Sequence, residues 1–193
     1  MREYYEDLWE RLPAERDLPH VPERRALMLE HVRPGSRVLD LGCGDGAFAG
    51  AAAAAGGLVT GVDVAEAALR RGRAAHPDVV FRLAPCEGPL PLPDAAFDVV
   101  WASEVIQHVA DTARFLSEVR RVMRPGAVLL VTTPSRGRFS LALTGPPDAQ
   151  GDDLRLYTRR ALRSVLWEFG FAAVEVRRLR RGSGTLAARA RRG

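Results

Sequence analysis

The sequence predicts an α/β protein: a single seven-stranded, mostly parallel sheet with helices on both faces, closed by an antiparallel hairpin. Two observations carry this. From Arg37 to Thr133, apolar runs of strand length alternate with helix-period segments, and a parallel connection requires such a crossover. Beyond Gly170 the alternation stops. The last two strand-like runs are separated only by Arg181-Gly182-Ser183-Gly184, so they must pair as a hairpin.

Two helices precede the sheet. In residues 3–12, Tyr4, Tyr5, Leu8, Trp9 and Leu12 recur at helical spacing, and Glu23 to Val32 is a second amphipathic segment, stopped by Pro34-Gly35. A strand at 37–41 leads into a small-residue helix, Ala47 to Ala55, that ends on Gly56-Gly57. A strand at 58–63 is followed by a helix from Ala65 to Ala75, closed by His76-Pro77. Next come a strand at 79–83, a Pro-rich loop at 85–93 and a strand at 97–102. Thr112 to Met123 places Phe115, Leu116, Val119 and Val122 on one face, and Pro125-Gly126 turns it into a strand at 128–133. A polar loop from Pro134 to Asp153 precedes a helix from about Thr158, its N-cap, to Phe169, and strands near 172–179 and 184–190 end the chain.

The 193 residues and 47% hydrophobic content fit one globular domain, residues 1–193, with no internal repeat. No apolar run approaches membrane-spanning length, and Met1 to Leu12 is charged and amphipathic rather than a signal peptide. The expectation is a cytoplasmic protein with no membrane partner. Cys43 and Cys86 lack metal-ligand spacing and read as free thiols, and no metal is expected. The net charge of +4 would point to nucleic acid, but all 28 basic residues are Arg, with no Lys or Asn, as a GC-rich genome produces. The one cluster, Arg177 to Arg192, has no interleaved aromatics for base stacking, so no nucleic-acid partner is expected.

The functional signal is Val38-Leu39-Asp40-Leu41-Gly42-Cys43-Gly44-Asp45-Gly46, a strand that runs into three alternating glycines. Such a turn lets a ligand touch the backbone, and the following helix offers N–H groups nearby. Asp63 stands at the tip of the next strand, as a ligand-binding acid or as a helix N-terminal acid. Gly42, Gly44 and Ala47 also satisfy the dinucleotide pattern with Ala in third place, which leaves an NAD-dependent oxidoreductase formally open.

The turn and Asp63 are followed by Leu90-Pro91-Leu92-Pro93-Asp94-Ala95-Ala96-Phe97-Asp98-Val99-Val100, Ser103-Glu104-Val105-Ile106-Gln107-His108-Val109 and Arg120-Arg121-Val122-Met123-Arg124-Pro125-Gly126. This ordered set resembles the class I S-adenosylmethionine-dependent methyltransferases, in particular the small-molecule branch that includes quinone-biosynthesis enzymes. The resemblance implies their single-domain Rossmann-like fold, with residues 1–33 roofing the site and 36–193 forming the catalytic core, and S-adenosyl-L-methionine as cofactor. It implies that Gly42, Cys43 and Gly44 pass beneath the methionine part, that Asp40 supports them, that Asp63 accepts the ribose hydroxyls and that Val64 lines the adenine pocket. Ala102 or Ser103 would offer a carbonyl to the amino group, and Tyr5 would close over the cofactor. Many relatives carry an acid for the adenine amine where this chain has Pro85, so that contact falls to the backbone of Cys86, to Glu87, or to neither.

Methyl transfer from a sulfonium is an in-line displacement, so the protein mainly aligns the acceptor, and a base helps when that acceptor is a hydroxyl. His108, just past the fourth strand, is the candidate base, or else only a pocket residue; Glu104 is the second candidate. His20, His31 and His76 read as surface residues, and Trp9 as core packing. Tyr4, Tyr5 and the 134–157 loop, with Arg136, Arg138, Arg155 and Tyr157, would govern the choice of a small-molecule acceptor. The sequence leaves open a monomer or a homodimer. Behind the methyltransferase reading stand a catalytically inactive cofactor-binding regulatory or scaffold domain and, third, the NAD-dependent oxidoreductase.

Overall fold

Arg37–Leu41 forms β1, buried at every residue after Arg37, as a central parallel strand covered on both faces requires. The computed structural model describes residues 2–13, 20–86, 88–135 and 155–193. Parallel to β1 run β2 (Leu58–Asp63), β3 (Val80–Leu83), β4 (Phe97–Ser103) and β5 (Met123–Pro134). With β6 (Phe171–Arg178) and β7 (Thr185–Arg192) they make a seven-stranded sheet in the order β3-β2-β1-β4-β5-β7-β6. β7 is antiparallel to both neighbours and lies between β5 and β6, which leaves β6 at the edge.

Strand alternation divides the core into two layers. Val38, Val99, Trp101, Val128 and Leu130 point to one face, where α2 (Val21–Leu29) brings Leu27 and Met28 and α3 (Ala47–Ala54) brings Ala49 and Ala52. Leu39, Leu41, Val100, Leu129 and Val131 point to the other, covered by α5 (Thr112–Val122) and α6 (Arg159–Glu168) through Leu116, Val119, Leu162 and Leu166. Each large aliphatic side chain taken fully from water contributes about 1.5–3 kcal/mol. A smaller third cluster seats Trp9 of α1 (Arg2–Arg11) on Ala65, Ala67 and Ala68 at the start of α4 (Glu66–Ala75).

The helix starts explain themselves chemically. Asp111 caps α5 by accepting from the Arg114 N–H at 2.9 Å, and Thr158 caps α6 from the Ala161 N–H at 3.1 Å, as expected for it. α4 begins at Ala65, which has no capping side chain. Asp63 accepts from Ala65 N–H at 3.0 Å, and Glu6 of α1 accepts from Glu66 N–H at 2.7 Å and Ala67 N–H at 2.9 Å. One helix thus supplies the cap of another, an interaction of the kind worth about 1 kcal/mol.

Two local expectations shift, and one short element is new. β5 begins at Met123, paired with Phe97 ahead of a register shift, so α5 ends at Val122. A short 3-10 turn, Ile106–His108, follows β4. His20, His31 and His76 are all half-buried rather than surface residues. The His76 ring lies where a Cβ on Gly50 would fall, 2.3 Å from Nδ1.

Candidate active site

The register brings the site together. Leu41 pairs with Val62 on one side and Ala102 on the other, so β1, β2 and β4 end at one level. From β1 the chain winds outward through β2 and β3, then returns to β4, and ligands bind at the strand ends where such an order reverses. A cleft of about 470 Å³ opens there. It is lined by Leu41, Gly42, Val62 and Asp63 at the strand ends, by Tyr5 and Trp9 of α1, and by Glu104, Val105 and His108 at and beyond the end of β4.

Gly42 and Gly44 both have positive φ, +67° and +55°. Neither has room for a side chain: a Cβ on Gly42 would lie 2.5 Å from Val105 Cγ2, and one on Gly44 would lie 2.6 Å from Trp9 Cζ2. The turn is tied to β2, because Gly42 N–H and Cys43 N–H both donate to the Val62 carbonyl, at 2.8 and 3.0 Å, and Gly44 N–H donates to Asp63 Oδ2 at 2.9 Å. Asp63 is therefore both the helix-terminal acid and a cleft-lining carboxylate. Its burial raises its pKa above the usual carboxylate value, against the lowering effect of the N–H groups of Ala65 and Gly44. Asp40 lies deeper, 2% exposed, with Oδ2 unpartnered among the described residues; burial, and then the charge of Asp63, hold its carboxyl well above the ordinary range. The Cys43 thiol points into the core and burial pushes its pKa up.

Glu104 has a left-handed backbone, φ +58°, an uncommon conformation for a residue with a Cβ and one that clusters at functional sites. Its Oε1 pairs with Nη2 of Arg24 from α2 at 2.9 Å and accepts from the Thr132 hydroxyl at 3.1 Å; Oε2 accepts from Gln107 at 3.3 Å. Arg24 is 5% exposed, and its buried Nε has no hydrogen-bond partner among the described residues. Tyr5 meets His108 edge to face, with ring centroids 6.2 Å apart. Arg2 closes the β2–β3 side, donating to the carbonyls of Ala84 (2.9 Å) and Val64 (3.2 Å).

Of the residues expected from the sequence, Tyr5, Gly42, Asp63, Val64, Cys86, Glu104 and His108 line the cleft. Asp40, Cys43 and Gly44 lie behind it; Ala102 is buried between β1 and β5, and the Ser103 hydroxyl pairs with that of Thr132 at 2.8 Å. Arg155 and Tyr157 both reach Thr112, through the Arg155 guanidinium and at 3.4 Å from the Tyr157 hydroxyl. Glu87, Arg136, Arg138 and most of the 134–157 loop lie outside the described residues. Trp9, read as core packing, packs on α4 and also lines the cleft above Gly44.

Comparison with known proteins places this arrangement. Residues 39–131 match the family described as "Methyltransferase domain". Residues 39–131 of this chain are thus similar to a methyltransferase domain. A probable S-adenosylmethionine-dependent methyltransferase of Mycolicibacterium smegmatis is 46% identical over 112 residues, 58% of this chain and 43% of the relative. A ubiquinone biosynthesis O-methyltransferase of Paracidovorax citrulli is 36% identical over 118 residues, 58% of this chain and 50% of the relative. The crystal structure of an S-adenosylmethionine-dependent methyltransferase from Mesorhizobium loti superimposes with a TM-score of 0.72 at 28% identity, covering 89% of this chain and 96% of that one. The chain thus spans about half the length of these curated relatives. The methyltransferase domain includes the glycine turn, Asp63 and the β4 end, while Tyr5, Trp9 and Arg24 stand before the matched segment. No described helix is long and apolar enough to cross a membrane.

The sequence reading missed Arg24, although a signal was there. Arg24 sits on the apolar stripe of α2 with Leu27 and Met28, where a lone charge calls for a buried partner.

Proposed function

We propose that the protein transfers the methyl group of S-adenosylmethionine to a hydroxyl of a small organic acceptor. The observation that carries this reading is that the glycine turn, the Asp63 carboxylate and His108 all meet at one cleft, at the reversal of strand order. The residues present fit the cofactor piece by piece. Asp63 uses one lone pair of each oxygen on Gly44 and Ala65 and keeps acceptor capacity for two ribose hydroxyls. The Glu104 carboxylate lines the cleft, is held there by Arg24, and suits the ammonium of the methionine. Val64, Ala84, Leu90 and Phe115 offer apolar walls to the base.

Bound there, the cofactor supplies an electrophilic methyl group on a sulfonium. The chain's own residues do the rest. His108, on the wall past β4, accepts the proton of the acceptor hydroxyl as the nucleophile forms, and Tyr5 fixes its ring edge to face. Tyr5 and Trp9 exclude water from the rim. Glu104, paired with Arg24, serves as the orienting carboxylate rather than as the base. The name of the ubiquinone biosynthesis O-methyltransferase supports a hydroxyl acceptor. The test is transfer of labelled methyl to a panel of phenols, catechols and aliphatic alcohols. His108→Ala should lower kcat by at least about 100-fold with cofactor affinity unchanged. Cofactor binding with no turnover on any acceptor would instead favour a binding-only domain.

A further inference from the structure

Gln107 is a buried polar residue to which the proposed mechanism gives no part. It is 3% exposed and stands in the 3-10 turn Ile106–His108, between Glu104 and His108, both of which line the cleft. With three residues to a turn, neighbouring side chains point about 120° apart, which lets Gln107 face the interior while His108 faces the cleft.

Both ends of the Gln107 amide are engaged. Nε2 donates to Glu104 Oε2 at 3.3 Å, and Oε1 accepts from the Thr133 hydroxyl on β5 at 3.0 Å. That orientation is forced, because a carboxylate only accepts and the NH2 must therefore face Glu104. The backbone carbonyl of Gln107 accepts from Arg155 N–H at 3.0 Å, which ties the turn from a third side. The bonds at Glu104 give this amide its weight. Arg24 and the Thr132 hydroxyl both meet Oε1, so Gln107 is the one partner of Oε2 among the described residues. Oε2 keeps acceptor capacity for a ligand in the cleft, and Gln107 fixes where that oxygen points.

Resting on the cofactor reading above, we propose that Gln107 is a positioning residue for cofactor binding. It acts through Glu104, holding Oε2 toward the ammonium of the methionine, and does not itself line the cleft. Thr133, fully buried in β5, anchors the other end of the amide to the sheet.

The test is calorimetric titration of S-adenosylhomocysteine into the full chain and its variants. Gln107→Met keeps the bulk, removes both amide bonds, and should weaken binding by about tenfold. In the Arg24→Met, Glu104→Gln background, where the carboxylate is gone, the same change should alter affinity by less than about twofold. Gln107→Glu is the conservative variant: a neutral carboxyl donates to Oε2 as the amide does, whereas a carboxylate only accepts and repels it. Among the described residues Arg24 is the charged partner of Glu104, and Thr132 and Thr133 are neutral. Relative to the parent protein at the same pH, Gln107→Glu should therefore bind within about threefold at about pH 5 and about tenfold more weakly at about pH 8. A side chain that only fills space would give no such dependence, and this ratio decides the matter even where Gln107→Met fails to fold. Unchanged affinity in a folded Gln107→Met, a full tenfold effect retained without the Glu104 carboxylate, or a Gln107→Glu ratio independent of pH would each overturn the proposal while leaving the cofactor reading in place. Failure of the parent protein to bind S-adenosylhomocysteine would remove both.

Discussion

The seating of Trp9 on the glycine turn has a measurable consequence at Gly44. Replacing Gly44 by Ala places a methyl group on a backbone at φ +55°. An L-residue there carries a penalty of about 1–2 kcal/mol. The new Cβ would also lie 2.6 and 2.7 Å from Trp9 Cζ2 and Cη2, against about 3.5–4.0 Å for carbon contacts. The indole must therefore move by about 1 Å, off its seat on Ala65, Ala67 and Ala68, an overpacking cost of about 1–3 kcal/mol. Gly44→Ala alone should lose about 2–5 kcal/mol in urea denaturation, and hydrogen exchange should show α1 loosened. In a Trp9→Ala background the clash is gone, and the same change should cost only about 1–2 kcal/mol. The double-mutant cycle should thus show a coupling of about 1–3 kcal/mol. Costs that add within about 0.5 kcal/mol would show that Trp9 does not rest on the turn.

Two further outcomes follow from the buried charges. Arg24→Met leaves the Glu104 carboxylate without its cation and should destabilise the fold by about 3 kcal/mol. Arg24→Met with Glu104→Gln should recover most of that stability yet still bind S-adenosylhomocysteine weakly, and recovered binding would contradict a role for the pair at the methionine end. Asp40, its pKa raised by burial and by Asp63, stabilises the fold below its unfolded value, near pH 4, and that stability is lost as pH rises through the folded value. Asp40→Asn should therefore match the parent Tm near pH 4 and exceed it at pH 7; a Tm difference independent of pH would count against the buried acid.

Local pattern accounts for most of the architecture and for half of the site. The strand and helix periods, the turn at Gly42 to Gly46 and the hairpin at Arg181 to Gly184 are each encoded within a few residues, and apart from the early start of β5 each expected element is found within a few residues of its expected bounds. Long-range interactions are a different matter. Ala65 begins α4 with no cap of its own, and the carboxylate that serves it, Glu6, lies 60 residues away. No local signal marks the left-handed Glu104, whose side chain is held by the distant Arg24 and Thr132 as well as by Gln107. Nothing in the sequence singles out Arg114 among the 28 arginines. Only the fold sets it beside Pro85 and Gly88.

The central claim is that Asp63 and the glycine turn hold the ribose and methionine of S-adenosylmethionine. Calorimetric titration of S-adenosylhomocysteine into the parent protein and into Asp63→Asn tests it most directly, because Asn keeps the side-chain shape while removing the charge and one acceptor. The account predicts binding with one site per chain and a loss of about 3 kcal/mol, roughly 100-fold, in the variant. No binding to the parent protein, or an affinity indifferent to Asp63→Asn, would contradict it.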